Sequence, residues 1–325
     1  MLSIPFKKVH GSKNDFLLID ENEVLNSLNH SKRKQLAQSL CDRTNGIGGD
    51  GILFIQKSDH CDGKMEIYNA DGTVASMCGN GLRCAGRYIM EKTGKNRVVV
   101  ETMKVDLTVQ QYETEQSVPF IQVEISPVSF DPSSLPMVTD KKRVIGERLP
   151  ELSNQLSFTA VSVPNPHLLS IVSKEVLFSD QLFQLASYVN GENPYFPDGV
   201  NVSFIYPIKA GEIFVRTFER GVGFTNACGT AMSAASIVAI LNGLHQYEIP
   251  LTVYNPGGFV KTIVHNDNGN LSVDLIGNAT YCFEGTVQMD FHTGAFHWLK
   301  ERSFEEEKDY ALLEKRAKEI VDSIR

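Results

Sequence analysis

Two segments, one in each half of the chain, place a Cys-Gly pair between a polar turn and the start of a predicted helix. In residues 68–84, Cys78 and Gly79 follow a strand-like run and precede small or apolar residues at helical spacing. In residues 218–231 the same order returns around Cys228 and Gly229. This is weak internal symmetry rather than a repeat of fixed period. It predicts two lobes of similar construction, each with a cysteine at the mouth of a helix.

Short apolar runs bounded by Gly, Asn, Asp and Pro predict a strand-rich chain, because such runs are typical of strands separated by turns. In the first half we predict strands at residues 4–9, 16–20, 51–56, 65–69, 98–102, 107–111 and 121–125, with helices at 31–41 and 80–92. In the second half we predict strands at residues 158–163, 168–172, 200–206, 212–218, 251–254, 260–265 and 271–275, with helices at 180–189 and 230–241. A last strand is expected at 281–289. We expect Ser31 to cap the first helix and Gly94 to end the second.

The fold class expected from this pattern is α+β, with two lobes and a C-terminal helical extension. The N-terminal lobe is predicted to span residues 1–128, with 277–290 returning to it. The C-terminal lobe is predicted to span 129–276, and the Pro- and Ser-rich residues 127–142 resemble a connection between domains. Residues 291–325 are predicted to be a charged helical tail.

The tail carries an apolar stripe, because five of its residues fall on one face of a helix over residues 303–325. These are Tyr310, Leu313, Ala317, Ile320 and Ile324. Two interpretations are open. The stripe could dock the helix on its own chain, or it could bind a partner or a second copy.

Composition excludes several classes of function. The 325 residues carry a net charge of −8 with acids and bases interspersed, which argues against a nucleic-acid surface. Apolar runs are too short to cross a bilayer, and the N-terminus resembles a first strand rather than a signal peptide. The six cysteines lack the spacing of a disulfide framework or of a metal site, so we expect no metal and a cytoplasmic, reducing environment.

Cys78 and Cys228 are the strongest candidates for chemistry. The N-terminus of a helix presents unpaired N–H groups and the positive end of the helix dipole, which favour a thiolate or a bound carboxylate. Gly79 and Gly229 leave room for such a group to approach. Two sites of this kind on one substrate would suit removal of a proton from one face of a carbon and delivery to the other. Thiol redox chemistry and plain packing are the alternatives.

Several polar residues lie at strand ends or turns, where they could serve either local structure or binding. They are Asn14, Asn69, Asn165, Asn201, His167 and the pair Glu219-Arg220. Arg220 could supply a fixed guanidinium for a carboxylate. His167 could tune a thiol, although a lone histidine is more often structural.

Five ordered motifs resemble the diaminopimelate epimerase family and cover about residues 4–289. They are residues 10–16 (HGSKNDF), 69–72 with 77–83 (NADG and MCGNGLR), 165–167 (NPH), 199–202 (GVNV), and 219–223 with 227–230 (ERGVG and ACGT). The resemblance implies a cofactor-independent epimerase that acts on a small amino acid. It also implies two pseudo-symmetric lobes, each a mixed, mostly antiparallel sheet wrapped around a central helix, with the active site in the cleft between them, and a homodimer.

The resemblance also implies roles for individual residues. Cys78 and Cys228 would be the acid/base pair that interconverts LL- and meso-diaminopimelate, in lysine and peptidoglycan precursor synthesis. Backbone and side-chain donors of Gly79, Asn80, Gly229 and Thr230 would hold the reacting carboxylate. The remaining substrate groups would be bound by Asn14, Asn69, Asn165, Asn201, Glu219 and Arg220. Ionisation of the thiols would be adjusted by His167 and Glu219.

The chain departs from the family pattern at four positions. Phe224 stands where Glu is usual, Ala231 and Pro164 stand where Gly is usual, and Gly51 stands where some members have Gln. These changes bear on the substrate rather than on the reaction. A racemase of another amino acid on the same fold, such as histidine or proline, is therefore the alternative enzyme. An amino-acid-binding or redox protein without turnover is the alternative of a different class.

Overall fold

A computed structural model describes residues 1–25 and 28–324 of the chain. The described chain divides into two compact units. Unit 1 comprises Met1–Val123 and Ile276–Leu313, and unit 2 comprises Glu124–Leu275 and Glu314–Arg325.

The strands are β1 (Leu2–Gly11), β2 (Asn14–Asp20), β3 (Gly51–Gln56), β4 (Gly63–Asn69), β5 (Val74–Ala75), β6 (Arg97–Glu101), β7 (Asp106–Glu115), β8 (Val118–Ile125), β9 (Glu147–Arg148), β10 (Ser157–Ser162), β11 (Pro166–Ile171), β12 (Asn201–Lys209), β13 (Glu212–Glu219), β14 (Gly223–Thr225), β15 (Leu251–Asn255), β16 (Gly258–Asp267), β17 (Asn270–Asn278), β18 (Thr280–Met289) and β19 (Phe296–Ser303). The α-helices are α1 (His30–Leu40), α2 (Gly79–Thr93), α3 (Lys174–Leu177), α4 (Gln181–Val189), α5 (Gly229–Leu241) and α6 (Glu306–Ile324).

Unit 1 is a mixed sheet with neighbours in the order β19-β18-β1-β2-β3-β4-β6-β7-β8. Two pairs, β2 with β3 and β4 with β6, are parallel. Parallel neighbours need a crossover, and α1 and α2 provide the two crossovers. The short strand β5 pairs with β4 immediately before α2.

Unit 2 repeats this arrangement within itself. Its neighbours follow the order β9-β10-β11-β12-β13-β15-β16, and β11 with β12 and β13 with β15 are the parallel pairs. Helices α3 and α4 connect the first parallel pair and α5 connects the second. The short strand β14 pairs with β13 immediately before α5. Sequence pattern and structure therefore agree on a sheet-dominated α+β fold with similar halves, and the predicted fold class is confirmed.

The predicted cap is correct at the C-terminal end of α2 and wrong at the N-terminal end of α1. Gly94 ends α2 in the left-handed conformation, with φ of 69°, as predicted. The prediction that Ser31 caps the first helix is wrong. Asn29 is the cap, and its side chain accepts a hydrogen bond from the backbone N–H of Lys32. Both residues are good caps, and the turn of backbone before the helix selects between them.

The chain beyond Phe291 contains more than the predicted helix. Residues Phe296–Ser303 form β19, which pairs with β18. The prediction that residues 291–325 are entirely a helical tail is therefore wrong. The short strands β5, β9 and β14 were not predicted either. Residues 127–142, the predicted connection, belong to unit 2. Arg325, the predicted end of the last helix, lies outside the described residues.

The apolar stripe of α6 is buried by its own chain. Tyr310 and Leu313 are buried in unit 1, and Ala317 and Ile324 pack in the core of unit 2, as does Val321. The docking interpretation of the stripe is therefore confirmed. None of the helices over residues 1–25 and 28–324 has both the length and the apolarity of a membrane span.

Candidate active site

Cys78 is the N-cap residue of α2, with extended backbone angles (φ −149°, ψ 115°). Its carbonyl oxygen accepts the first intrahelical bond, from the N–H of Leu82 at 2.8 Å. No oxygen of this side chain caps the helix, so the first-turn N–H groups can face the sulfur or a bound acceptor. Those of Asn80 and Gly81 face the Cys78 sulfur. The thiol thus sits at the donor end of the helix, as the sequence predicts.

A chain of side-chain hydrogen bonds surrounds the Cys78 sulfur. Asn14 Oδ1 accepts from Cys78 Sγ at 3.4 Å and from Asn80 Nδ2 at 3.2 Å. Asn14 Nδ2 donates to Asp50 Oδ2 at 2.6 Å. Arg83 Nη2 donates to Asn80 Oδ1 at 2.9 Å. Three of the predicted site residues of unit 1 are thus in contact, with Gly79 between Cys78 and Asn80 in the chain.

Asn69 is placed apart from this chain of bonds. It is exposed at the end of β4, and its Nδ2 donates to Thr73 Oγ1 at 2.9 Å, across the turn that leads to β5. The turn contains Gly72 at φ of 83° and is held further by Asp71, which accepts from the Thr73 backbone N–H. The contacts of Asn69 are those of a turn residue.

Cys228 occupies in unit 2 the place that Cys78 has in unit 1. It is the N-cap of α5, again extended (φ −129°, ψ 108°) and without a capping side-chain bond. The N–H of Ala231 faces its sulfur. Both helices are largely buried, α5 with the hydroxyls of Ser233 and Ser236 among its apolar residues and α2 with the fully buried Arg83.

A second set of bonds leads to the Cys228 sulfur. His167 Nε2 lies 2.9 Å from Asn165 Oδ1 and 3.1 Å from Thr230 Oγ1. Because the carbonyl oxygen of Asn165 can only accept, Nε2 carries the hydrogen. The Thr230 hydroxyl can then direct its own hydrogen to Cys228 Sγ, 3.5 Å away. The imidazole therefore orients a hydroxyl that solvates the sulfur.

His167 is held in its neutral form. Burial lowers the pKa of the imidazole to about 3, and the positive charge of Arg220 acts in the same direction. Its Nδ1 is buried and has no hydrogen-bond partner among the described residues. A neutral His167 cannot supply a proton near pH 7, so its contact with Thr230 is an orienting one.

The other predicted residues of unit 2 line the end of β13. Asn201 is buried, and its Oδ1 accepts from the backbone N–H of Arg220 at 2.9 Å. The Arg220 side chain is at the surface and donates from Nη1 to the carbonyl oxygen of Asp198 at 2.9 Å. Glu219 bonds to the Cys228 thiol. Unit 2 thus brings Glu219, Cys228 and the His167 group together.

Both thiol pKa values are raised rather than lowered. Burial raises the pKa of Cys78, against the opposing effects of the N–H groups at the helix end and of Arg83. Burial together with the charge of Glu219 raises the pKa of Cys228 to about 12. The expectation that helix ends would lower these values is wrong here, because removal of the sulfur from water outweighs the field of one helix terminus.

The pKa of Cys228 leads to a prediction about its reactivity. Only the thiolate reacts with iodoacetamide, so the alkylation rate of Cys228 should rise tenfold per pH unit from pH 7 to 10 without a plateau. Since the negative charge of Glu219 raises the thiol pKa, Glu219→Gln should lower it. At a fixed pH the rate should then increase on the order of tenfold, because one pKa unit is a factor of ten in thiolate.

Glu212→Gln, at the opposite end of β13, is the matched control and should leave the rate unchanged. Peptide mass spectrometry would follow Cys228 separately from the other five cysteines. A plateau below pH 9, or no acceleration in Glu219→Gln, would contradict the assignment.

The departures from the family pattern have clear structural settings. Phe224 lies in an aromatic cluster with Phe183 and Phe218, and the Arg216 guanidinium sits 4.4 Å from its ring centroid. Ala231 is fully buried in the first turn of α5. A side chain at Gly51 would meet the Tyr68 carbonyl oxygen at 2.3 Å, so glycine permits the close approach of β3 and β4.

Two polar groups at the Cys78 site were not predicted. Arg83, which the sequence marks only as the last residue of the MCGNGLR motif, is fully buried and donates to Asn80, to Ser12 and to the Asn278 carbonyl oxygen. Asp50 fixes Asn14 from the other side. An arginine within an otherwise apolar stretch of helix was the available signal for the first. The sequence contained no comparable signal for Asp50.

Within residues 1–25 and 28–324, two groups of side chains have the composition of a metal site. They are His10 with Cys282 and Glu307, and His60 with Cys61 and Asp106. In the first group Lys13 Nζ lies 2.6 Å from Glu307 Oε1, so a cation already neutralises the carboxylate. The second is at the surface, where His60 Nε2 lies 3.1 Å from Asp106 Oδ2. We assign no metal to either.

Comparison with protein families finds a match to the model described as diaminopimelate epimerase, over residues 6–130 and 159–282. A diaminopimelate epimerase of Listeria welshimeri is 50% identical over 296 residues, covering 89% of this chain and 90% of that protein. One of Listeria innocua is 47% identical over 327 residues, covering 99% of both chains. The similarity to the second protein thus includes the C-terminal extension, which lies beyond the family match.

Solved structures of lower identity share the fold. A Bacillus anthracis phenazine biosynthesis protein of the PhzF family has a TM-score of 0.64 at 17% identity, covering 89% of this chain and all of that chain. A hydroxyproline epimerase from Agrobacterium vitis has a TM-score of 0.58 at 13% identity, covering 90% and 94% of the two chains. At these identities the likeness concerns the fold.

Proposed function

The chain belongs to the diaminopimelate epimerase family of isomerases, and we propose that it interconverts LL- and meso-diaminopimelate by a cofactor-independent reaction with two cysteines. The observation that carries this proposal is the matched pair of thiols. Cys78 and Cys228 are the N-cap residues of corresponding helices, and first-turn N–H groups face each sulfur: those of Asn80 and Gly81 face Cys78, and that of Ala231 faces Cys228. Local packing does not account for a thiol at the N-terminus of the corresponding helix in both units.

The proposed reaction needs one thiolate and one thiol. The thiolate takes the α-proton, so that a C–H bond breaks and an S–H bond forms. The thiol of the other cysteine delivers its proton to the opposite face of the same carbon and becomes the thiolate. The two cysteines exchange roles when the reaction runs in reverse.

The raised thiol pKa values suit this chemistry. An amino-acid α-proton is very weakly acidic, and a base of higher pKa is the stronger acceptor once it has formed. The same burial keeps most of the enzyme in the dithiol form near pH 7. The competent state with one thiolate would therefore be a minor species that becomes more populated as pH rises.

We assign the substrate contacts as follows. The first-turn N–H groups after Cys78 and Cys228, with Gly79, Asn80, Gly229 and Thr230, would stabilise the reacting carboxylate and the negative charge that develops there. The exposed Arg220 would bind the distal carboxylate of the substrate. The amino groups would be bound by Glu219, Asn14, Asn69, Asn165 and Asn201. Two residues would adjust the ionisation of the Cys228 thiol. His167 would act through the Thr230 hydroxyl, and Glu219 would act by its direct bond to the thiol.

The deciding experiment incubates the reduced enzyme with LL-diaminopimelate in D₂O. We expect the meso form to accumulate with one deuterium at the inverted α-carbon. L-histidine and L-proline, tested in parallel, should gain none. Deuterium in either of these and none in diaminopimelate would refute the proposed substrate and favour a racemase of another amino acid. A ligand that binds but never exchanges its α-proton would refute the reaction.

We further propose that the enzyme supplies precursors for lysine and peptidoglycan synthesis and works in the cytoplasm. All six cysteines are free, and a two-thiol mechanism requires a reducing compartment. The homodimer stays a prediction from the family resemblance. Sedimentation of the purified enzyme at micromolar concentration would test it.

A further inference from the structure

The first turn of α6 carries two adjacent carboxylates that bind two other parts of unit 1. Glu306 forms a bidentate pair with Arg87 of α2, at 2.6 and 2.8 Å, and accepts from the Tyr281 backbone N–H. Glu307 reaches the turn between β1 and β2 instead. Its Oε2 lies 2.7 Å from His10 Nε2, and its Oε1 lies 2.6 Å from Lys13 Nζ.

Glu307 is an ionised carboxylate between donors. Burial opposes its ionisation, yet the bonds from His10 and Lys13 lower its pKa to about 2. Cys282 Sγ also donates to Oε2, at 3.5 Å. Each carboxylate oxygen of Glu307 therefore accepts from at least one donor. Loss of either oxygen would leave a donor without its acceptor.

His10 connects Glu307 to the interior of unit 1. The residue is buried, and the N–H of Lys13 donates to its Nδ1 at 3.3 Å, so Nδ1 accepts and Nε2 carries the hydrogen that faces Glu307. Asn278 Nδ2 lies 3.2 Å from the same Nδ1. The edge of the Tyr310 ring packs on the imidazole with centroids 4.7 Å apart.

The turn that these contacts hold has an unfavourable backbone. Ser12 and Lys13 both have positive φ, 53° and 64°, although neither is glycine. Such residues persist where the surroundings fix them. Asn278 Oδ1 accepts from the Ser12 N–H at 2.8 Å, and Glu307 binds the Lys13 side chain. The turn is thus fastened at both of its central residues.

The residue that follows this turn is Asn14, whose Oδ1 faces Cys78 Sγ and Asn80 Nδ2. The orientation of Asn14 therefore depends on the turn, and the turn depends on His10 and Lys13. Glu307 binds both of these side chains.

We propose that Glu307 is a positioning residue for the Cys78 thiol: from the C-terminal extension it holds His10 and Lys13, and through the Ser12–Lys13 turn it presents Asn14 to the sulfur. The inference rests on the proposed role of Cys78 in proton transfer. Glu307 touches neither the sulfur nor the substrate in this assignment, so its effect is indirect.

The test replaces Glu307 with Gln. An amide has one acceptor oxygen where the carboxylate has two, so Glu307→Gln leaves either His10 or Lys13 without its acceptor. We expect kcat to fall roughly tenfold with little change in KM, because small misplacements of a reacting group cost that much or more. The pH profile of Cys78 alkylation should shift to lower pH, since Asn14 Oδ1 stabilises the protonated thiol.

Controls separate positioning from folding. Glu305→Gln, whose carboxylate pairs with Lys308 at the surface, should match the wild type in both measurements. In Glu307→Gln the alkylation profile of Cys228 should stay unchanged. Lys13→Met removes the other end of the contact at a partly exposed side chain, and it should give a smaller shift in the same direction even if Glu307→Gln folds poorly.

The result that overturns the proposal is an unshifted Cys78 profile in both variants, or equal shifts at Cys78 and Cys228. A loss of activity fully explained by unfolded protein would also overturn it. If the wild-type enzyme fails to epimerise diaminopimelate, the proposed function falls. The alkylation profiles would still decide whether Glu307 positions Cys78.

Discussion

Replacing Cys78 or Cys228 with serine is expected to lower epimerisation of diaminopimelate by about 10³-fold in each case, in the range that general acid–base groups contribute. Serine keeps the shape of the side chain. Its hydroxyl, however, is far less acidic than a thiol and forms almost no alkoxide near pH 7. Both epimers should lose turnover in both variants, because each cysteine serves as base in one direction and as acid in the other.

Cys61→Ser is the matched control, since this thiol lies in a surface turn of unit 1 and has no assigned role. It should retain wild-type turnover, and all three variants should unfold at nearly the wild-type temperature. If Cys78→Ser or Cys228→Ser kept more than a tenth of the activity, the two-base mechanism would be wrong. Loss in one variant alone would indicate a one-base reaction.

Gly86→Ala is expected to destabilise the fold, although alanine is the better helix former. A Cβ at Gly86 would lie 2.3 Å from Val109 Cγ1 and 2.7 Å from its Cβ. Val109 is fully buried on β7, and its β-branched side chain has little freedom to turn away. Overpacking of this kind costs about 1–3 kcal/mol, more than the ~0.5–1 kcal/mol gained in helix propensity.

Calorimetry provides the measurement. For a unit of this size a loss of ~2 kcal/mol lowers the unfolding midpoint by about 4–8 °C. Val109→Ala alone should also destabilise, by roughly 2 kcal/mol, because it opens a cavity. In the double variant Gly86→Ala/Val109→Ala the added methyl group fills space that the smaller side chain vacates. Its loss of stability should therefore be smaller than the sum of the losses in the two single variants. Additive losses would show that the helix and strand do not meet at this point.

The same contact bears on the active site. Gly86 lies in the middle of α2, whose first residue follows Cys78. An outward shift of the helix by a Cβ would move the thiol relative to Asn14. Gly86→Ala should therefore lower kcat as well, and Val109→Ala in the same chain should restore part of it.

Local features of the sequence predict local structure correctly. Runs of apolar residues between turn formers predicted most strands, and the position of Gly94 predicted the end of α2. The motifs around Cys78 and Cys228 predicted a cysteine at each helix start. These features depend on neighbours within a few residues, where propensity and hydrogen-bonding rules apply directly.

Features that depend on distant residues could not be predicted. The choice of Asn29 over Ser31 as a cap depends on the backbone that enters α1. The bond of His10 to Glu307 joins residues 297 positions apart, and the close contact of Gly86 with Val109 joins a helix to a strand. Neither partner carries a local signal for the other.

The sequence by itself determined which two thiols stand at helix ends, because the Cys-Gly order and the turn before it are local. Only the tertiary structure decided how those thiols ionise. A helix terminus alone lowers a thiol pKa, but burial and Glu219 raise that of Cys228 to about 12. Burial is the sum of everything packed around a sulfur, and no short stretch of sequence contains it.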